Sequence, residues 1–152
     1  MGDAERAIEN LIYAYAAFVD DGDLDGVSTL LGQATIGVDG VAEGLHGKEK
    51  IFTLLSSTIK MHEDGTPRTK HVTTNVRIEL DEGAGTATAQ SYFTVLQAVG
   101  GHGLQTIVAG RYRDRFECHD GRWRFTERRF TTDLIGDVSR HLLSGPEILG
   151  GA

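Results

Sequence analysis

The chain has 152 residues, 39% hydrophobic and 24% charged, the size and balance of one globular domain with its own core. A formal net charge of −7 excludes a general nucleic-acid binder, which needs a basic face to neutralise phosphates. No apolar run reaches the roughly 18–20 residues of a membrane span.

In chain order, residues 4–19 place Ile8, Leu11, Ile12, Tyr15 and Phe18 on one stripe at helical spacing. Gly22 can stop this helix and Asp23 can cap a short second one over DGVSTLL. ATIGVDGVAEGLHG reads as two short strands joined through Asp39-Gly40, a strong hairpin dipeptide. GKEKIFTLLSSTIKMH predicts another amphipathic helix, with Ile51, Leu54, Leu55 and Ile59 on its buried face.

After EDGTPR the period changes to two, and HVTTNVRIELD, TATAQSYFTVLQAV, LQTIVAGRYRDRFECH and RWRFTERRFTTDL read as four strands. Their connectors DEGAG, GGHG and HDG carry hairpin residues. Helices followed by antiparallel strands make the class α+β. A curved sheet wrapped on a long helix leaves a cone-shaped cavity suited to a small apolar ligand. The late arginines, in GRYRDRFECHDGRWRFTERRF, alternate with acids and aromatics as the solvated face of paired strands does. The tail SGPEILGGA is expected to be a loosely held extension over a pocket or a neighbouring subunit.

His71 opens the first long strand, and alternation puts Thr73 and Asn75 on the same inward face. Asp20 closes the first helix. A histidine becomes a useful base at neutral pH when a carboxylate fixes its tautomer and stabilises the imidazolium. From spacing alone a lone histidine at a strand start is more often a surface or structural residue than a base, and capping and solvation account for the group Asp20, Asp21, Asp23 and Asp25. Cys118, the single cysteine, has no internal disulfide partner, and the opening MGDAERAIEN is acidic and polar, unlike a signal peptide. The expected compartment is the reducing cytoplasm. His46, His62, His102, His119 and His141 are scattered without metal-ligand spacing, and no phosphate loop or nucleophile elbow is present. The expectation is no metal and no cofactor.

Three stretches, YAYAAFVDDGDLDGVSTLL, RTKHVTTNVRIEL and YRDRFECHDGRWRFTERR, resemble the nuclear transport factor 2-like superfamily. Within it they resemble the SnoaL-like, polyketide-cyclase-like group that holds scytalone dehydratase and hexachlorocyclohexane dehydrochlorinase. The resemblance implies a cone-shaped α+β barrel and an acid–base dyad at the positions of Asp20 and His71, with an arginine at Arg128. The departures are specific. Tyr15 stands where the dehydrochlorinase has a lysine, Val19 and Val38 replace dehydratase tyrosines, and Val95 lies near a pocket aspartate of a bile-acid dehydratase branch.

The resulting expectation is a cofactor-independent lyase in which His71, held by Asp20, removes a proton from a small hydrophobic, aromatic or cyclic compound. Tyr15 or Tyr92 would donate to developing oxygen charge and Arg128 would hold an anionic group, with Phe18, Thr73, Asn75 and Val95 as pocket walls. Packing explains Tyr15 and Tyr92 too, and Arg128 could pair with Glu127 or Asp133 instead. An isomerase or aldol cyclase, and a non-catalytic binding or assembly subunit, are the alternatives. The resemblance also implies a homo-oligomer, a trimer ahead of a dimer, with SYFTVLQAV and LQTIVAG at the interface.

Overall fold

The computed structural model describes residues 2–39 and 44–149. Helix α1 (Asp3–Asp20) buries Ile8, Ile12, Tyr15, Ala16 and Val19, the face its apolar spacing sets. It stops at Gly22, whose φ of 76° suits a residue without a side chain. A Cβ there would lie 2.2 Å from the Gly65 carbonyl oxygen. Glycine therefore lets the end of α1 press against the turn that leads into the first long strand. Asp23 caps α2 (Leu24–Leu30) by accepting from the Gly26 N–H at 2.8 Å.

Strands β1 (Thr35–Val38) and β2 (Leu45–His46) pair antiparallel. Gly40 of the expected Asp39-Gly40 turn lies outside the described residues. Helix α3 (Lys48–Thr58) is shorter than its sequence pattern predicts. Ile59 leaves it in extended conformation and bridges to Leu142, so its side chain is buried by a strand-like contact with the C-terminal segment.

Four long strands follow: β3 (Thr69–Asp81), β4 (Thr86–Gln97), β5 (Gln105–His119) and β6 (Arg122–Ile135). The sheet order is β2-β1-β6-β5-β4-β3, antiparallel except for β1 beside β6. The period-two signal is explicit in β4, where Ala87, Ala89, Ser91, Phe93, Val95 and Gln97 are buried between more exposed neighbours. Helix α1 packs on the inner face against β3 and β6. The class is α+β, as the element order predicts. No helix among the described residues is long and apolar enough to cross a membrane.

The segment between β6 and the tail is held by long-range bonds. Lys60 and Leu143 N–H groups donate to the His141 and Thr58 carbonyls at 2.8 and 2.9 Å. The Arg140 carbonyl accepts from His62 Nε2 at 2.8 Å and Gln97 Nε2 at 3.1 Å. A short 3-10 turn, Pro146–Leu149, then brings Ile148 and Leu149 over the mouth of the core.

Candidate active site

Between α1, α3, the inner sheet face and the C-terminal segment lies a cavity of about 180 Å³. Its walls are mainly apolar, with Val19, Val38, Phe93, Val95, Val108 and Phe130 among them. The polar side chains in its walls are Tyr15, Thr58, His71, Tyr112, Thr132 and His141.

Asp20 and His71 meet at one edge. His71 Nδ1 is 2.6 Å from Asp20 Oδ1, and both side chains are only 8% exposed. The His71 backbone N–H donates to Asp20 Oδ2 at 2.8 Å, and the Thr69 hydroxyl donates to Oδ1 at 2.8 Å. Burial pushes the Asp20 carboxyl up. The His71 ring's hydrogen bond and charge, with the bonds from the His71 backbone and Thr69, outweigh this and hold it below the usual carboxylate range. An ionised Asp20 only accepts, so the hydrogen-bond network assigns the proton to His71 Nδ1 and leaves the Nε2 lone pair for the cavity.

Tyr15 and Tyr112 pack edge to face, 5.8 Å between centroids, with Phe93 stacked on Tyr112 at 4.7 Å. Burial pushes both hydroxyls above the ordinary phenol range, so both remain protonated donors at neutral pH. Behind them lies Arg128, fully buried and paired bidentately with Asp114 through Nε–Oδ1 at 2.8 Å and Nη2–Oδ2 at 2.9 Å. Its guanidinium is 4.4 Å from the Tyr15 ring centroid and 3.8 Å from that of Tyr112. Burial opposes the charge, and Asp114 more than offsets it, so Arg128 stays protonated.

The structure therefore brings His71, Tyr15 and Val95 to the walls of one cavity, with Asp20 bonded to His71 rather than lining it, and leaves the other expected site residues away from its walls. Arg128 does not line the cavity: its partner is Asp114, whereas Glu127 and Asp133 pair with Arg115 and Arg111 on the exposed sheet surface. Tyr92 is 50% exposed, because its register opposite Thr74 and Arg111 turns it to the outer face. A register shift between Thr74 and Arg77 interrupts the alternation of β3, and Asn75 sits there exposed with φ 53°. Thr73 keeps a buried hydroxyl without a partner but is not a cavity wall. Phe18 packs over Gly26 of α2 and likewise does not line the cavity.

His141 is the residue that sequence spacing misses. It is 8% exposed, lines the cavity and faces His71 edge to face with 6.4 Å between ring centroids. Burial first, then the nearby His71 and, more weakly, His62, pull it down to about 4 against the opposing pull of Asp20. Between that value and its ordinary 6.5, the unfolded chain binds a proton that the folded one refuses, so acid favours unfolding. Stability should fall by on the order of 3 kcal/mol as pH drops from about 6.5 to 4. Asp20, with its lowered folded-state value, adds a loss of the same sign as pH falls further. Denaturant melts of wild-type and His141→Gln protein across this range check it: the variant's curve should be flatter.

A buried Asp–His pair beside an apolar cavity, on a helix-backed mainly antiparallel sheet, defines a cavity-bearing protein of the cystatin-like α+β type. Residues 3–129 match the model of the SnoaL-like domain, and the chain belongs to that family. No curated protein matches it in sequence. Among solved structures it is similar to a putative scytalone dehydratase from Novosphingobium aromaticivorans, with 19% identity, TM-score 0.68 and coverage of 88% of this chain and 87% of that one. LinA gives 21% identity and TM-score 0.69, covering 94% and 95%. A single-residue variant of Rv3472 from Mycobacterium tuberculosis, a protein of unknown function, gives 23% identity and TM-score 0.69, covering 87% and 77%. At these identities the likeness is one of fold.

Proposed function

We propose that this chain is a cofactor-independent lyase that eliminates a small group from a compact cyclic compound, with His71 as base and Asp20 as its orienting partner. The observation that carries the reading is the 2.6 Å Asp20–His71 contact at the wall of an apolar cavity. A structural histidine would have its second ring nitrogen spoken for as well. Here no hydrogen bond is found for Nε2 among the described residues, and the residue lines the cavity. General-base catalysis needs that arrangement: a free lone pair within reach of the substrate and a carboxylate to stabilise the imidazolium that forms. Tyr15 and Tyr112 supply donors for a substrate oxygen or a departing group. A putative scytalone dehydratase among the fold neighbours supports the same class of reaction.

Volume narrows the substrate. A protein cavity of about 150 Å³ holds benzene, so 180 Å³ suits one six-membered ring with small substituents. A thermal-shift panel of monocyclic, bicyclic and steroid-sized compounds tests this. A monocyclic ligand at a hundredfold excess over its Kd should stabilise the fold by about 2.7 kcal/mol, or roughly 5–10 °C at this chain length. A response confined to polycyclic compounds, or none to any compound, would overturn the reading.

A further inference from the structure

We propose that His141 is the oxyanion-binding group of this cavity: a neutral imidazole whose Nε2–H receives the negative charge that develops on a substrate carbonyl oxygen when His71 removes the neighbouring C–H proton. The inference rests on the His71 reading above and specifies the substrate class, a monocyclic carbonyl compound with an acidic C–H beside the carbonyl.

The argument begins with an orphaned atom. His141 Nδ1 is buried and has no hydrogen-bond partner. Leaving a lone pair unpaired in the interior is the milder fault, because orphaned buried N–H groups are the rarer kind. The proton therefore belongs on Nε2. That nitrogen is not among the buried unpartnered atoms, and the residue is a wall of the cavity. The cavity wall thus carries an acceptor, His71 Nε2, and a donor, His141 Nε2–H. With the rings 6.4 Å apart, one fragment of a few atoms can meet both.

The two imidazoles cannot exchange roles. His71 has a carboxylate at 2.6 Å to stabilise an added proton, whereas no such partner is found for His141 among the described residues and it resists protonation down to about pH 4. A proton on His71 makes a second on His141 still less favourable. His141 therefore remains a donor throughout the cycle. The C-terminal segment holds it in place through the main-chain bonds on either side of the ring, from Lys60 to its own carbonyl and from Leu143 to Thr58.

The step balances without any other reactant. His71 Nε2 takes the proton, the C–H electron pair forms a C=C bond, and the carbonyl π pair moves onto oxygen. His141 hydrogen-bonds that oxygen and transfers nothing. When the enolate collapses, an oxygen pair re-forms the C=O bond, the C=C pair forms a new double bond to the next carbon, and that carbon's bond to the leaving group breaks. The leaving group departs with the bond's electron pair and accepts the proton from the His71 imidazolium.

4-Nitrophenol is the test probe, since it is one ring wide and its colour reports whether it is bound as phenol or phenolate. Wild-type protein should bind it as the phenolate, its proton resting on His71. His141→Leu should weaken that binding by about tenfold or more, the usual scale for losing one oxyanion donor. His141→Gln, which keeps an N–H donor, should stay within about threefold of wild type. Nitrobenzene, which has the shape without an acidic oxygen, should bind wild type and His141→Leu alike. Equal phenolate affinity in His141→Leu, or a parallel loss for nitrobenzene, would overturn the proposal. Ionised probe in His71→Gln would instead remove His71 as proton acceptor and leave the His141 assignment standing. Failure of both probes to bind wild-type protein would defeat both.

Discussion

Replacing His71 by glutamine is expected to lower the rate of proton abstraction by roughly 10²–10⁴-fold, the usual contribution of a positioned general base. The melting temperature should move by only a few degrees. Asp20 would lose the ring contact but keep the His71 backbone N–H and the Thr69 hydroxyl, both at 2.8 Å, so its carboxylate stays partnered. Glutamine fills much of the same space and cannot serve as a base at neutral pH. Asp20→Asn should reduce the rate as well, because a neutral amide no longer stabilises the imidazolium or dictates the tautomer. Unchanged turnover in His71→Gln would end the general-base reading.

The largest effect on stability is expected from the buried pair behind the tyrosines. Arg128→Met leaves Asp114 without its ionic partner at a fully buried site, a change that costs about 3–5 kcal/mol. For a chain of this length the melting temperature should drop by roughly 6–20 °C. Arg128→Met combined with Asp114→Leu removes both charges together and should recover most of the loss. A double variant as unstable as the single one would show that packing against Tyr15 and Tyr112, not charge, accounts for the effect. Activity should fall in both variants, since the guanidinium lies against two tyrosine rings that line the cavity.

These two sites mark where sequence informs and where it stops. Asp20 and His71 are legible because one ends a strongly periodic helix and the other begins a period-two run, and a resemblance links the two positions. Val95 is placed by the resemblance alone, and the structure puts it on the buried face of a β4 whose alternation of buried and more exposed residues is unbroken. Asn75 fails for the opposite reason: the irregularity after Thr74 breaks the phase of β3, and Asn75 itself, a residue type that tolerates positive φ, sits at the break. Tyr92 needed the register of β4 against both neighbours, which turns it outward, before its face was fixed. Arg128 and Asp114 lie 14 positions apart across the β5–β6 hairpin, and the many acids on those strands hide which one is buried with the arginine.

His141 is the extreme case. It carries no periodicity, because the segment after β6 is irregular and owes its position to long-range bonds with Thr58, Lys60, His62 and Gln97. The helix pattern continuing through Ile59 hides the same fact from the other side. Competition from the Leu142 bridge ends α3 at Thr58 and turns the following residues into an edge for the tail. Gly22 shows how local chemistry can still position a distant site. Its positive φ and the close Gly65 carbonyl let the end of α1 reach the entry to β3, where Asp20 meets His71.

Hydrogen–deuterium exchange into a bound monocyclic ketone tests the central claim most directly, because it reads proton abstraction whether or not the rest of the reaction proceeds. In D₂O, wild-type protein should introduce deuterium at the carbon beside the carbonyl of a ketone from the stabilising panel, and His71→Gln and Asp20→Asn should lose that exchange by about 10²-fold or more. Exchange at the same rate in wild type and His71→Gln, or none in wild type with the ketone bound, would contradict it.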